Sequence, residues 1–237
     1  MIGKNVTAMQ HNPASAKQSE SAETGKRAHL MSSISIIGTG NMARTIGARA
    51  IAGGNTVEVM GRDHAKAADM AKAIGGGATT GEWGDVPVGD IVVVALLADG
   101  VVPVITHYGD ALAGKTIIEI SNPFNATANG LTHHGMTSIA QEAAKVAPAS
   151  ASLVKGFNTI FRHVLEQGQA DVFIAGDDGQ AKANVEKFIR SLGMRPMDAG
   201  GLEMAHWLEG AGVLTMGIAR NGEGNFDFSL GVTELSA

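Results

Sequence analysis

The sequence predicts an α/β protein with a doubly wound, mainly parallel sheet and a short helical part at its C-terminus. Short runs of β-branched and aliphatic residues alternate with Ala-rich segments of helical length from Ser33 onward. Several runs are apolar at every position, as in "DIVVVALL", which is typical of parallel strands covered on both faces. The chain has 32 glycines and 4% aromatic residues, which favours many tight turns between strand and helix. Such alternation predicts right-handed crossovers between the strands.

The individual elements follow from the same alternation. The predicted strands are Ile34–Ile37, Thr56–Met60, Ile91–Leu97, Thr116–Ile120, Ser152–Phe157 and Asp171–Ala175. The helices predicted between and after them are Met42–Ile51, Asp63–Ile74, Val101–Leu112, Thr137–Val146 and Asp178–Leu192. A last helix is expected at Leu202–Arg220, beyond the sheet.

Charge and composition exclude several functional classes. The net charge is −5 and the basic residues are dispersed, so no nucleic-acid partner is expected, because such a partner needs a clustered positive face. The chain has no cysteine, which excludes disulfides, thiolate metal sites and thiol catalysis. Its longest apolar run, Ile91–Ala98, is too short to span a bilayer. We therefore expect a cytoplasmic protein without a membrane partner.

The glycine cluster after the first strand predicts a dinucleotide site. In "GTGNMA", Gly38 and Gly40 follow the strand, and Ala43 takes the third small position. In this pattern the first glycine permits the sharp turn, the second lets a pyrophosphate approach the main chain, and the third small residue allows close helix–strand packing. The pyrophosphate would lie on the free N–H groups at the start of the helix. A tight turn without a ligand is the alternative, but the order of strand, bend and helix favours a Rossmann-type site.

The end of the second strand favours NADP over NAD. An NAD site normally presents an acidic residue to the ribose hydroxyls here, whereas Gly61 and Arg62 follow Met60 in this chain. A guanidinium can bind a 2′-phosphate through two hydrogen bonds, and Lys66 adds a second positive charge one helical turn later. In the alternative, Arg62 forms only a surface pair with Asp63.

With these residues in place, the chain resembles the family of NADPH-dependent reductases of the deazaflavin coenzyme F420, the F420-dependent NADP oxidoreductases. The resemblance runs from Ser33 to the C-terminus and rests on "IIGTGNMA", "GRDHAKA", "VKGFNTI", "FIAGDD" and "LGMRPMDAGGL". It implies a Rossmann domain with a short C-terminal helical part, and hydride transfer between NADPH and the deazaflavin. Family members are often dimers, so a homodimer is expected.

The resemblance also implies which residues bind the cofactor. They are Gly38, Thr39, Gly40, Asn41 and Met42 at the pyrophosphate, Gly61, Arg62 and Lys66 at the 2′-phosphate, Leu96 and Leu97 covering the cofactor, and Asn122 and Pro123 near the nicotinamide. The deazaflavin would lie over the nicotinamide, beside the segments around Asn158–Thr159 and Leu202–Leu208.

The acceptor side departs from the family pattern. Where some members have His-Thr-Ile-Pro, this chain has "FNTIFRH", with Asn158 and Phe161, and its "SNPFNAT" loop also differs. The small-molecule hydride acceptor therefore stays open between coenzyme F420, an ordinary flavin and a ferric chelate. A non-catalytic NADP sensor is the alternative from a different class.

Hydride transfer between two rings needs positioning rather than side-chain chemistry, so no catalytic residue is expected. No metal site is expected either, and His133–His134 are interpreted as solvated histidines of a polar loop. Pyrroline-carboxylate reductases and hydroxyacid dehydrogenases share the opening bend, but the 37 residues after Gly200 are too few for their large helical domain.

Three parts are expected along the chain. Residues 1–31 are polar and lack apolar periodicity, which predicts a disordered N-terminal extension. Residues 32–200 would form the NADP-binding domain and residues 201–237 the C-terminal helix and tail. Gly210, Gly212 and Gly217 weaken that helix, so we expect close backbone contact there with the cofactor or with a second subunit.

Overall fold

The main sheet aligns the ends of its strands in one row. The computed structural model describes residues 31–132 and 135–235. Its main strands are β1 (Ser33–Ile37), β2 (Thr56–Met60), β3 (Thr79–Gly81), β4 (Ile91–Val94), β5 (Thr116–Glu119) and β6 (Ser152–Lys155). They form a six-stranded sheet in the order β3-β2-β1-β4-β5-β6, with every neighbouring pair parallel. The register places Met60, Ile37, Val94, Glu119 and Lys155 side by side.

Helices cover both faces of this sheet. They are α1 (Asn41–Ala52), α2 (His64–Ile74), α3 (Ala98–Tyr108), α4 (Ile139–Val146), α5 (Arg162–Gln167), α6 (Gly179–Ser191) and α7 (Ala205–Asn221). One core contains the buried residues of α1, α2, α5 and α6, and the other contains those of α3, α4 and the start of α7. The predicted doubly wound, mainly parallel α/β fold is confirmed.

A second, smaller pair of strands lies beyond β6. The strands β7 (Asp171–Ile174) and β8 (Arg195–Asp198) are parallel to each other, and an antiparallel bridge between Lys155 and Ala175 connects them to the main sheet. The sequence pattern missed β3, β8 and α5. Each is too short, at three, four and six residues, to show a periodicity of its own.

Several predicted strands end earlier than their apolar runs. The run predicted as Ile91–Leu97 is a strand only to Val94, and the next helix begins at Ala98, three residues before the predicted Val101. The ladder stops because its neighbour β1 ends at Ile37 and the chain then bends away. The last two leucines of the run leave the sheet, and Leu97 is 81% exposed. An apolar run alone cannot distinguish a buried strand from an apolar surface that follows it.

Two regions singled out in the sequence lie outside the described residues. These are residues 1–30, which hold almost all of the expected extension, and His133–His134. In the described part of the chain, none of the helices combines the length and the apolar character needed to cross a membrane.

Candidate dinucleotide-binding site

The bend after β1 brings two backbone segments into direct contact. Gly38 has φ +128°, a conformation that residues with a side chain rarely adopt. A Cβ atom added at Gly38 would collide with the carbonyl oxygen of Ala95, which follows β4. The N–H of Gly38 donates to the carbonyl of Met60 at 2.9 Å, so the bend is also tied to the end of β2. The site therefore begins with a glycine that the fold requires.

The first turn of α1 is open at its N-terminus. Gly40 precedes the helix with extended backbone, and a Cβ atom added there would have no heavy atom within 4 Å. Within residues 31–132 and 135–235, no side chain caps this helix, and its first turn carries no acidic residue. Thr39, Gly40 and Asn41 are exposed. The free N–H groups, which donate hydrogen bonds, and the positive end of the helix dipole can therefore bind an anion.

Arg62 is exposed and unpaired at the end of β2. It makes no hydrogen bond or ion pair with any residue that the structure describes. Asp63 instead caps α2, where it accepts the Lys66 N–H at 3.2 Å and lies 3.4 Å from the Lys66 Nζ. The backbone N–H of Lys66 lowers the pKa of Asp63. The alternative surface pair between Arg62 and Asp63 is absent here, and Lys66 is the residue that carries a partner.

A cleft of about 550 Å³ joins the bend to Arg62. The predicted residues that line it are Gly38, Thr39, Gly61, Arg62, Lys66, Leu96 and Leu97. The sequence did not single out two rings on its outer wall, Trp83 and His107, which stack with centroids 5.5 Å apart and planes 19° apart. Trp83 follows the unpredicted strand β3, so no sequence signal placed it here. Its volume lies within the range of about 300–1,000 Å³ that is usual for small-molecule sites.

Asn122 and Pro123 lie apart from this cleft, at the carboxyl end of β5. Pro123 is buried and Asn122 is half-buried. The Asn122 side chain donates to the carbonyl of Asn158 at 2.7 Å, and the Asn158 side chain donates back to Asn122 at 2.9 Å. Asn158 also donates to the carbonyl of Leu208 at 2.8 Å, which fixes α7 against the ends of β5 and β6.

Of the three glycines of α7, Gly212 makes a close backbone contact inside the fold. A Cβ atom added at Gly212 would lie 2.8 Å from the Asn122 Oδ1, so the helix backbone packs directly against that side chain. Gly210 and Gly217 differ, because a Cβ atom at either would have no heavy atom within 4 Å. Gly212 therefore packs against the interior of the fold, while Gly210 and Gly217 face outward.

A fully buried ion network lies beneath Asn122. The Lys155 Nζ donates to Glu119 at 2.6 Å, to the carbonyl of Ser121 at 2.6 Å and to Glu209 at 2.9 Å. Lys155, Glu119 and Glu209 have no exposed surface. The network ties β5, β6 and α7 together. Sequence could not identify its two carboxylates, because Glu119 ends an apolar strand and Glu209 lies 54 residues after Lys155.

The two carboxylates of this network have different surroundings. Both oxygens of Glu119 accept hydrogen bonds, from Lys155 and from the Ser121 N–H at 2.6 Å. The Glu209 Oε1 accepts from Lys155 and from the Ile139 N–H, but its Oε2 has no hydrogen-bond partner among the described residues. Burial raises the pKa of Glu209. Lys155 therefore has two acidic partners, of which Glu119 is hydrogen-bonded at both oxygens and Glu209 at one.

Comparison with known proteins agrees with the geometry at the bend. Residues 33–123 match the family model for NADP oxidoreductase, coenzyme F420-dependent. Over this segment the chain is similar to the F420-dependent NADP oxidoreductases. The match spans β1 to the loop after β5, and therefore includes the glycine bend, Arg62 and Asn122. The resemblance seen in the sequence is confirmed over residues 33–123.

Relatives outside the family model are more distant. The chain is 29% identical over 186 residues to Metalloreductase STEAP3 of Rattus norvegicus, an alignment that covers 74% of this chain and 35% of that protein. The chain thus spans about a third of the length of this relative.

Solved structures share the fold. A candidate F420-dependent NADP reductase from Arthrobacter sp. FB24 superposes with a TM-score of 0.75 at 22% identity, covering 85% of this chain and 99% of that one. An imine reductase from Aspergillus terreus, in complex with NADPH4 and dibenz[c,e]azepine, gives a TM-score of 0.63 at 21% identity, with coverage of 81% and 63%. At these identities the likeness establishes the architecture alone.

Substitution of the two glycines of the bend should lower stability by different amounts. Gly38→Ala should lower the free energy of unfolding by about 3 kcal/mol, because the new side chain meets the Ala95 backbone in a strained conformation. Gly40→Ala should cost about 1 kcal/mol at most, because its Cβ atom enters open space. Urea unfolding of both variants measures the difference, and equal losses would contradict this account of the bend.

The buried network predicts a pH effect for Glu209. Because burial raises its pKa, the folded state binds this proton more tightly than the unfolded chain does. The resulting stability is fully present below the unfolded pKa of about 4.3 and is lost as the pH rises through the folded pKa. Glu209→Gln has no proton to lose, so its free energy of unfolding should fall less than that of the wild type as the pH rises above about 4.3.

Glu119→Gln is the matched control for this prediction. It removes the counter-ion of Lys155, so it should lower the free energy of unfolding at neutral pH by about 3 kcal/mol. Urea unfolding across the pH range compares the two variants. If the free energy of unfolding of Glu209→Gln fell as steeply with rising pH as that of the wild type, the raised pKa of Glu209 would be contradicted.

Proposed function

We propose that this protein binds NADP(H) along the carboxyl ends of the sheet strands and transfers a hydride between it and a deazaflavin-type acceptor such as coenzyme F420. The observation that carries the proposal is Arg62, an exposed guanidinium without a partner in the described chain, on a cleft that begins at the glycine bend. The family match supports both the cofactor and the acceptor class.

The phosphate groups would be bound by main chain and by Arg62. Thr39, Gly40, Asn41 and Met42 would hold the pyrophosphate at the open first turn of α1, where free N–H groups meet the helix dipole. Arg62 would bind the 2′-phosphate, because it can present two parallel N–H donors. Lys66, which lies at the same end of the cleft, would add positive potential while still paired with Asp63.

The nicotinamide would lie on the other side of β1. Since β2 and β4 flank β1, an adenosine near Arg62 at the end of β2 leaves the second half of the cofactor toward β4 and β5. Leu96 and Leu97 would cover it there, and Asn122 and Pro123 would lie at its far end. The Asn122–Asn158 pair and Gly212 of α7 form a rigid wall behind this position.

The chain's own contribution is to position the cofactor and the acceptor and to exclude water from between them. When bound, NADPH supplies a hydride, and an acceptor that takes this hydride and one proton from water leaves NADP⁺ behind. The residues of the wall would keep the nicotinamide and the acceptor ring next to each other, because the reacting atoms must come within about 3–3.5 Å. No side chain needs to form a bond or hold the transferred hydrogen, which agrees with the expectation of no catalytic residue.

A second acceptor class is supported by one comparison. The 29% identity to Metalloreductase STEAP3 covers 74% of this chain, and that name describes a reductase of metals. A chelated ferric ion, or a flavin that passes electrons to it, is therefore the alternative acceptor. Anaerobic NADPH oxidation with the deazaflavin, FMN and ferric citrate, each supplied separately, distinguishes these classes. Turnover with none of them, in a protein that binds NADPH, would favour the non-catalytic sensor.

We also propose a homodimer formed through the outward face of α7. Trp207, Gly210, Leu214 and Gly217 recur at helical spacing on this face, and the two large side chains are 55% and 57% exposed. The outward glycines would let two helices approach closely, and the leucine and tryptophan would supply apolar contact area.

Arg62→Ala tests the cofactor assignment. We expect NADPH to bind more weakly by about 1.5–3 kcal/mol, the scale of hydrogen bonds to a charged group, while NADH binding is nearly unchanged. Titration calorimetry with both nucleotides measures the difference. Arg44→Ala is the control, because this exposed arginine of α1 does not line the cleft. An equal loss for NADPH and NADH in Arg62→Ala would mean that Arg62 does not bind the phosphate.

Leu214→Glu tests the dimer. A carboxylate at this exposed position of α7 should shift the protein to a monomer in sedimentation velocity experiments, because it would be buried without a partner in the interface. Val86→Glu is the control, since Val86 is also exposed but lies in the loop before β4. A wild type that sediments as a monomer, or a dimer that survives Leu214→Glu, would contradict this interface.

A further inference from the structure

The segment after α7 crosses the carboxyl end of the sheet. We call residues 222–235 the C-terminal tail. Just before it, Arg220 donates a hydrogen bond to the carbonyl of Thr127, in the loop after β5. Within it, Asp227 pairs with His163 in the first turn of α5, with the Oδ1 and Nε2 atoms 2.9 Å apart. The tail therefore runs from the loop after β5 to the start of α5.

A second anchor holds the far end of the tail. Arg195 donates to both oxygens of Asp171 at 2.6 Å, and the Val232 N–H donates to the same carboxylate at 2.7 Å. The Arg195 hydrogen bonds hold the pKa of Asp171 below its usual range. Arg195 also donates to the carbonyl of Val232. The Arg195–Asp171 pair therefore binds both the N–H and the carbonyl of Val232. The tail is fixed on both sides of α5.

The start of α5 lies at the same end of the fold as the glycine bend. Thr45 of α1 is 3.4 Å from Glu166, and further along the same helix Arg49 packs against Gly168, just after α5. Because later residues of α1 meet later residues of α5, the two helices run in parallel. Phe161, which immediately precedes α5, is therefore at the end where α1 presents its open first turn.

Two aromatic rings of the tail pack against Phe161. Its ring centroid is 5.0 Å from that of Phe226 and 5.7 Å from that of Phe228, both in edge contact. The His163 ring stacks parallel to Phe161 at 6.0 Å. We call these four residues the tail aromatic cluster. Phe226 stays 42% exposed although it is held in place, so the cluster presents an aromatic surface to the outside.

We propose that the tail aromatic cluster is the outer wall of the hydride-acceptor site and that it selects planar conjugated rings. This inference rests on the proposed function, which places the nicotinamide near Asn122 and Asn158 at the ends of β5 and β6. The chain reaches Phe161 three residues after Asn158, and the tail arrives from the loop that follows Asn122. A ring over the nicotinamide would therefore have the cluster on its free side.

The chemistry of the cluster favours a conjugated ring as its occupant. Phenyl rings contact other π systems in edge or offset geometry, which stabilises them beyond the burial of apolar area. Of the charged groups of the tail anchors, the Arg195 guanidinium is already bound to Asp171. A compact, strongly hydrated ferric citrate complex would gain little from such a surface.

The test removes the rings and keeps the apolar surface. Phe226→Leu and the double variant with Phe228→Leu are compared with Val232→Ala, a tail substitution at the other anchor. The binding of the deazaflavin and of FMN to the enzyme–NADP⁺ complex is followed by quenching of their fluorescence. We expect about tenfold weaker binding of both rings in the double variant, and an unchanged affinity for NADPH. Ferric citrate reduction should not change.

The outcomes separate this inference from the proposed function. If the wild type binds NADPH and NADH equally, the proposed function fails. If it prefers NADPH but binds neither ring, the proposed acceptor class fails together with the inference. If it binds both rings and the leucine variants bind them as the wild type does, the inference alone is overturned. The same holds if Val232→Ala weakens ring binding as much as the double variant. Phe226→Leu alone, at a partly exposed position, provides the test should the double variant not fold.

Discussion

The contact between Gly38 and the carbonyl oxygen of Ala95 is the constraint on which the site depends. It lets the chain leave β1 sharply enough for α1 to begin at Asn41 with its first turn open. The parallel register then places the ends of five neighbouring strands in one row, so that the residues after each strand share one edge. Arg62 at one side of this row and Asn122 at the other are brought to the site by backbone geometry alone.

Most of the fold could be predicted because parallel strands buried on both faces leave an unmistakable apolar pattern. The second strand was predicted to the residue, since Thr56–Met60 is bounded by a glycine turn and by Gly61. The pattern could not distinguish the end of a strand from apolar residues that follow it outside the sheet, as at Leu96 and Leu97. It also could not show that β7 and β8 form a separate two-stranded sheet, because strand pairing depends on contacts between segments that are distant in the sequence.

The candidate site was predictable where function requires a particular residue type at a fixed distance from a strand. Gly38, Gly40 and Arg62 meet that condition, because a sharp turn, an approaching phosphate and a bound anion each demand specific chemistry. The buried Lys155 network and the tail aromatic cluster do not. Their members are brought together from distant segments by α7 and by the chain beyond it, and each residue alone has an ordinary structural explanation.

The most direct measurement is a crystal structure of the protein with NADP⁺ bound. This account predicts the pyrophosphate on the N–H groups of the first turn of α1 and the 2′-phosphate within hydrogen-bond distance of the Arg62 guanidinium. It also predicts the nicotinamide beside Asn122. A 2′-phosphate bound elsewhere, with Arg62 in solvent, would contradict the central claim.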